Sequence, residues 1–386
     1  MKRAPHLVAL GGMCAMASAF GFSRFAYTPI LPHMVAGLNF SAAQAGLIAS
    51  ANFLGYLLGA FLSATPTMRR HAHAFFSLGL IAGALSMAGM ALDYGAHTLA
   101  ALCVWRFIGG LVSAFVIVCL ATLVQEPVIR AGRPALAGAP FAGVGLGIAT
   151  SSAMVLGALA AGGDWRTLWL VASAGALALA IAALGLIPRP GPTPVAAVAA
   201  QGEQAPRGAL ARLVASYGLF GFGYVITATF LVVIVRETPA LAPIEPLAWI
   251  VVGLAGAISI PFWTFVARRT GDHAAYGLGL IAEAIGVALT VLVPSPWAVL
   301  TGGALLGGTF MAVTAIGLGL ARRMSPQAPQ KAQAIMTVAF GLGQIVGPLV
   351  AGVLRETTGS YLWPSLAAAL ALAVGAVLPE RARRAA

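Results

Sequence analysis

Pro188-Arg189-Pro190-Gly191-Pro192-Thr193-Pro194, continuing through Gly202-Glu203-Gln204-Ala205-Pro206-Arg207 to Arg212, is the stretch that decides how this chain is organised. Each proline lacks the N–H that a helix ladder needs and crowds the turn before it, so this stretch reads as a linker. On either side the chain is a series of apolar runs separated by short polar loops. Of its 386 residues, 60% are hydrophobic and 8% charged, where a soluble domain holds about 45–50% and about 25%. So few charges cannot cover an aqueous surface, which excludes an ordinary cytosolic enzyme, and so apolar a chain is not a disordered one. What remains is an all-α membrane protein. At about 20 apolar residues per spanning helix, and about 30 with its loop, the chain has room for roughly twelve.

The apolar runs predict transmembrane helices at about 7–36, 42–64, 74–93, 98–124, 135–160, 167–187, 211–235, 246–267, 274–293, 297–320, 332–354 and 361–379. The domains are then a six-helix bundle over 1–187, a cytoplasmic linker over 188–210 and a second six-helix bundle over 211–386. Met1-Lys2-Arg3 before an apolar run, with Ala17-Ser18-Ala19 after it, has the look of a signal peptide. The run continues to about Leu38, so an uncleaved first helix is expected. The net charge of +12 is no nucleic-acid footprint, because it is dealt out in short clusters between the runs. With the N-terminus inside, seventeen of the 22 lysines and arginines fall on cytoplasmic segments, among them Arg69, Arg70, Arg268, Arg269, Arg322 and Arg323. The outer loops hold only Arg166, Arg236 and Arg355. That bias places both termini in the cytoplasm.

The two halves repeat one another. Phe20-Gly21-Phe22 matches Phe220-Gly221-Phe222, Arg69-Arg70 matches Arg268-Arg269, and Leu168-Trp169 matches Leu362-Trp363, at offsets of 194 to 200 residues. Parallel repeats of this kind belong to transporters that bind substrate between the halves near the midplane.

With this plan on the page, the chain resembles the major facilitator superfamily. Gly21-Phe22-Ser23-Arg24-Phe25-Ala26-Tyr27-Thr28-Pro29, and Gln44-Ala45-Gly46 followed by Ala49-Ser50-Ala51-Asn52-Phe53-Leu54-Gly55-Tyr56, are similar to the opening signature of its YbfB/YjiJ-type branch. Arg106-Phe107-Ile108-Gly109-Gly110 resembles the Arg-x-x-x-Gly element of the fourth helix, whose arginine the resemblance ties to coupling. The loop Ser63 to Arg70 lacks the aspartate of the usual Gly-x-x-x-Asp-Arg motif. Helix five carries Gly138, Gly143, Gly145 and Gly147 but no Gly-Pro, whereas Gly347-Pro348 stands in helix eleven, so the antiporter hallmark is incomplete. The resemblance implies a bacterial inner-membrane secondary transporter working by alternating access.

Two arginines lie inside predicted spans, where each costs about 2.5–3.5 kcal/mol at a helix centre and therefore faces a partner or a wet cavity. Arg24 sits about 24 Å into helix one and Arg106 about 12 Å into helix four, at 1.5 Å per residue. In a core about 30 Å thick they come close to one level. One reading is an anion clamp in which both forks hold a carboxylate or phosphate. The other has Arg106 on backbone carbonyls of a neighbouring helix and Arg24 snorkelling outward beside Tyr27. Glu283 is the one carboxylate well inside a span and is a candidate proton carrier, set against a neutral acid held between helices. Arg106 and Glu283 are thus the coupling candidates. Tyr27, Asn52, Tyr56, Tyr224, Thr227, Trp263 and Gln344 complete the substrate-binding candidates with Arg24 and Arg106, the buried amides foremost because an unpartnered amide is expensive. Each aromatic or amide also has an ordinary packing role open to it.

No enzyme constellation is present. His6, His33, His71, His73, His97 and His273 show no zinc spacing, Cys14, Cys103 and Cys119 show no paired spacing, and no Walker loop or nucleophile elbow occurs. The expectation is a monomer in the bilayer, with no cofactor, metal or nucleic acid. It moves a small anionic or neutral organic solute, with protons as the coupling ion. A multidrug or sugar efflux carrier and a non-transporting ligand sensor are the alternatives.

Overall fold

A computed structural model of the protein describes residues 4–189 and 207–379. Most of the proline-rich linker, the first three residues and Arg381, Arg383 and Arg384 lie outside the described residues. The apolar runs become helices α1 (Pro5–Leu38), α2 (Ala42–Ser63), α3 (Ala72–Gly89), α4 (Thr98–Leu120), α5 (Ala139–Ala160), α6 (Trp165–Leu186), α7 (Arg207–Glu237), α8 (Glu245–Thr270), α9 (Asp272–Leu292), α10 (Pro296–Met324), α11 (Pro329–Thr358) and α12 (Leu362–Val377). The first eleven are long and apolar enough to cross a membrane, and α12 is a shorter apolar helix. No strand occurs among the described residues. Leu85, Ile181, Ile258, Phe262 and Leu370 are each more than half exposed, as side chains facing lipid are.

Local chemistry sets the ends. Ser41 and Gln44 form a reciprocal capping box at the start of α2, each side chain accepting from the other's backbone N–H at 3.2 and 2.9 Å. Asp164 caps α6, accepting from the Thr167 N–H at 2.9 Å and hydroxyl at 2.7 Å, bonds that hold its carboxyl below the usual carboxylate range. Gly271 (φ 85°) makes the turn between α8 and α9, and Gly359 (φ 71°) ends α11.

Two expectations need correction. Helix α7 begins at Arg207, inside the stretch read as linker, because Ala209, Leu210, Ala211 and Arg212 are strong helix formers once the prolines stop. Helix α1 is not continuous: α-helix to Met16 passes into π-helix over Ala17–Phe22, residues 23–26 form a turn, and α-helix resumes at Tyr27.

The repeat is physical. Within the first half α1 packs on α5 and α6, α2 on α4, and α3 on α4 and α6; within the second, α7 packs on α11 and α12, α8 on α10, and α9 on α10 and α12. Each pairing has its counterpart six helices on. The match reaches single residues: a Cβ on Gly110 of α4 would stand 1.9 Å from the Asn52 carbonyl oxygen of α2, and one on Gly307 of α10 would stand 2.0 Å from that of Val252 in α8. Gly21 and Gly221, matched in sequence, both press on the fifth helix of their half, at Gly147 and Phe340. The Trp169 match is weaker, since Trp169 is buried and Trp363 exposed. The halves meet through α2 on α11, its counterpart α5 on α8, and α1 on α7.

Such contacts make glycine substitutions legible. A Cβ on Gly55 would stand 2.0 Å from the Phe107 carbonyl oxygen, whereas Gly157 faces open space with nothing within 4 Å. Gly55→Ala is expected to lower stability by about 1–3 kcal/mol through overpacking. Gly157→Ala, at a lipid-facing helical position, should hold or raise it by up to about 1 kcal/mol. Thermal denaturation of the two purified variants checks the pair, and an unshifted Gly55→Ala would refute the close approach of α2 and α4.

Candidate functional site

The site grows from the break in α1. Pro29 has no N–H to give, and the π-helical register shifts the donors before it: Ser23 N bonds to the Ser18 carbonyl and Phe25 N to the Phe20 carbonyl. The carbonyls of Ser23 and Arg24 then look outward, that of Phe25 also accepts from the Thr28 N–H at 3.3 Å, and other helices reach all three. Arg106 of α4 donates through Nη1 to the Ser23 carbonyl at 2.9 Å and through Nη2 to the Arg24 carbonyl at 3.2 Å. Trp249 of α8, in the other half, donates its indole N–H to the Phe25 carbonyl at 3.1 Å. A cation against the carbonyl end of a half-helix is also favoured by the helix dipole. Tyr27 lies under the Arg106 guanidinium at 4.7 Å, and its hydroxyl donates to the Ala45 carbonyl at 2.7 Å. Asn52 of α2 donates to the carbonyl of Arg106 itself at 2.9 Å. Arg106, Tyr27 and Asn52 therefore form one positioning set.

Arg24, on the turn, faces the other way. Its guanidinium carbon lies 4.3 Å from the ring centre of Tyr56, 4.9 Å from Phe53, 5.5 Å from Phe20 and 5.9 Å from Phe25, an aromatic cage that favours a cation. Nη2 donates to Gln344 Oε1 of α11 at 3.2 Å, and the Gln344 amide donates in turn to the Tyr224 hydroxyl of α7. The chain Arg24–Gln344–Tyr224 thus crosses between the halves. The Tyr224 ring lies nearly parallel to Phe340 (5.6 Å, 4°) and to Phe310 (6.0 Å, 10°). Phe310 meets Phe25 edge-on at 5.8 Å, closing the aromatic wall across the interface.

Both arginines are buried, at 5% and 4% exposure, and among the described residues no carboxylate pairs with either. The ion pairs lie elsewhere, such as Arg323 with Asp272 and Arg355 with Glu237. Arg24 Nε, Arg106 Nε, Ser23 Oγ, Asn52 Oδ1 and Thr227 Oγ1 are buried without a hydrogen-bond partner. Further bonds join the halves: Thr28 to the Ala228 carbonyl, Ser50 to the Ile345 carbonyl at 2.7 Å, the Ala43 N–H to Glu356 at 2.9 Å, and Arg236 to the His33 ring at 2.9 Å. All lie on the side of Arg24 that faces the α1–α2, α7–α8 and α11–α12 turns. A cavity of about 270 Å³ flanks this closed end, lined by His33, Arg236, Glu245 and Trp249 among others.

The expected joint clamp is not formed in this state: both Nη groups of Arg106 hold carbonyls, and Arg24 points into its cage. Neither does Arg24 snorkel outward. Arg24, Tyr56, Tyr224 and Gln344 come together, and Thr227 follows Tyr224 by three positions on the same helix. Trp263 stands apart, its indole N–H donating to the Gly308 carbonyl at 2.8 Å within the α8–α10 packing. Glu283 of α9 is fully buried, beside the Thr309 hydroxyl of α10, and is likewise outside the cage. Sequence reasoning missed Phe20, Phe25, Phe53, Phe310, Phe340 and Trp249 as site residues; Phe20 had a signal in its repetition as Phe220, and Phe25 and Phe53 in the branch signature.

The family model described as "Uncharacterised MFS-type transporter YbfB" matches residues 16–380. No curated protein matches the chain. Among solved structures, the nucleoside transporter NupG superposes with a TM-score of 0.71 at 16% identity, covering 98% of this chain and 99% of that one. A bacterial homolog of the human lysosomal transporter Spinster, in an inward-facing and occupied conformation, gives a TM-score of 0.69 at 14% identity over 98% and 96%. At these identities the likeness is one of fold.

Proposed function

The chain belongs to the YbfB-type family of major facilitator transporters, and from that premise we propose that it carries a small anionic or neutral organic solute across the bacterial inner membrane by alternating access, with protons as the driving ion. The observation that carries this reading is Arg24: a buried guanidinium, on a broken helix where the two halves meet, with no carboxylate of the described chain beside it. A cation held in low dielectric attracts an anion and repels cationic drugs, which argues against the multidrug alternative.

The inter-half bonds cluster at one end, and that supports a carrier closed there. The basic clusters on the opposite turns make that opposite end the cytoplasmic one, so the protein rests inward-facing. Thr28, His33, Ala43, Ser50 and Trp249 then form the outer latch that must break for the site to open to the outside. The two domains, 1–187 and 211–386, rock about the α2–α11 and α5–α8 contacts.

Counterflow in proteoliposomes tests the reading against a ligand sensor of the same fold. Vesicles loaded with an unlabelled organic acid are expected to take up the labelled acid transiently, saturably and only when the protein is present. An acid that stabilises the protein thermally yet never exchanges would make it a sensor and overturn transport.

A further inference from the structure

We propose that the solute bound at Arg24 is a planar aromatic acid, whose carboxylate replaces Gln344 Oε1 on the guanidinium; this deepens, and rests on, the reading of Arg24 as the substrate anchor. A guanidinium offers five N–H donors in a fixed fork. Here the partners are neutral, the Gln344 amide oxygen at 3.2 Å and the Tyr56 hydroxyl, and Nε is buried without a partner. The acceptor in place is therefore weaker and farther than a carboxylate, which takes such a fork in two parallel bonds at about 2.7–2.9 Å. Gln344 Oε1 occupies the position that one oxygen of that carboxylate would take.

The walls decide what the carboxylate is attached to. Around Arg24 stand Phe20, Phe53 and Tyr56, and beyond Gln344 stands the near-parallel stack of Phe340, Tyr224 and Phe310. The polar groups among them are the Gln344 amide and two tyrosine hydroxyls. A sugar or polyol would leave most of its hydroxyls unmatched there, and unmatched buried hydroxyls oppose binding. A flat apolar ring meets aromatic faces and edges in the offset and edge-on arrangements they prefer. One carboxylate on a flat ring uses both properties of the site.

Binding then acts on the interface. The Arg24–Gln344 bond joins α1 to α11, and a carboxylate that takes Arg24 releases Gln344, which keeps its bond to Tyr224 in its own half. Ligand binding and loss of a bond between the halves are one event.

Thermal unfolding of the full-length protein in detergent tests this with benzoate, cyclohexanecarboxylate, acetate, benzyl alcohol and glucose. Benzoate is expected to stabilise at concentrations at least tenfold below cyclohexanecarboxylate, with acetate, benzyl alcohol and glucose without effect. Arg24→Gln should abolish the benzoate shift, and Phe53→Leu should raise the concentration needed at least tenfold for benzoate and less for cyclohexanecarboxylate. Arg24→Lys, which keeps the charge but loses the fork, stands in if Arg24→Gln is not recovered folded, and should weaken benzoate strongly. If acetate or cyclohexanecarboxylate acts as well as benzoate and needs Arg24, the aromatic class is wrong and the anchor stands. If benzoate acts equally on wild type and the Arg24 variants, both are wrong. If none of the five probes stabilises, the aromatic-acid assignment is overturned, and counterflow decides the anchor separately.

Discussion

Arg106→Met lowers the thermal stability of the protein by the equivalent of about 2–5 kcal/mol and abolishes transport. The magnitude comes from the two carbonyls that lose their donor: Ser23 and Arg24 accept from Arg106 at 2.9 and 3.2 Å, and an unsatisfied buried acceptor costs about 1–3 kcal/mol. Removing a buried cation offsets little of this. The helix that carries Arg106 crosses the bilayer folded or unfolded, so the expense of placing the charge there is common to both states. Arg106→Lys keeps the charge and reaches a carbonyl, but its point donor cannot serve both acceptors in the plane of one fork. Its stability falls between methionine and wild type. Amide hydrogen exchange should localise the effect, with faster exchange over residues 20–30 in the methionine variant and little change in α9 or α12. Unaltered exchange there would mean that the break in α1 is held by something else. Asn52→Ala removes one bond, to the Arg106 carbonyl, and is expected to cost about 1 kcal/mol.

The same residues mark where sequence reading succeeds and where it stops. Spans, halves and repeat are legible because they are written in composition: an apolar run, a proline cluster, a basic pair. The twelve helices fall where the runs predict, except that α7, α8, α10 and α11 extend beyond them, since charged ends such as Arg268-Arg269 and Arg322-Arg323 continue a helix that hydropathy cannot follow. Arg24 and Arg106 are visible because a charge in an apolar run is conspicuous. Their roles are not, because the partners come from distant helices: Arg106 lies 82 residues from the carbonyl of Arg24, and Trp249 lies 224 from that of Phe25. Pro29 announces a kink but not the π-helical register or the carbonyls that other helices reach. The cage is harder still. Phe53 and Phe340 have the same local sequence character as Phe61 and Phe265, which face outward at 53% exposure each, and only the fold tells them apart. Trp263 shows the reverse error: its polar handle suggests a pocket, and the handle serves a helix–helix bond instead.

Glu283→Gln removes pH-driven accumulation while leaving counterflow within about threefold of wild type, if Glu283 carries the coupled proton; each unit of pH gradient corresponds to about 1.4 kcal/mol, tenfold in accumulation for one proton per solute. Under a gradient of two units, wild type should therefore accumulate up to about a hundredfold and the variant should stop at equilibration. The case for this residue is its burial without a cation beside it. It is fully buried in α9, beside the Thr309 hydroxyl of α10, and among the described residues no cation pairs with it. Its neighbours are already engaged: Tyr276, two turns earlier, bonds Ser216 at 3.0 Å, Ser216 donates to the Gly375 carbonyl, and Thr309 of α10 gives its hydroxyl proton to the Leu305 carbonyl at 2.7 Å. With Thr309 as a hydrogen-bonding neighbour and no cation of the described residues beside it, Glu283 would give up a coupled proton only where a change in packing wets or pairs the group. Glutamine keeps the shape and neutrality of the protonated acid, so binding and exchange survive while proton release does not. That asymmetry separates the two readings of the residue. A neutral acid that merely fills space between α9 and α10 would tolerate glutamine in every assay, so persistent accumulation in Glu283→Gln vesicles would remove it from the coupling mechanism. The burden would then pass to Arg106, whose charge joins the broken helix of the first half to α4 through two backbone carbonyls.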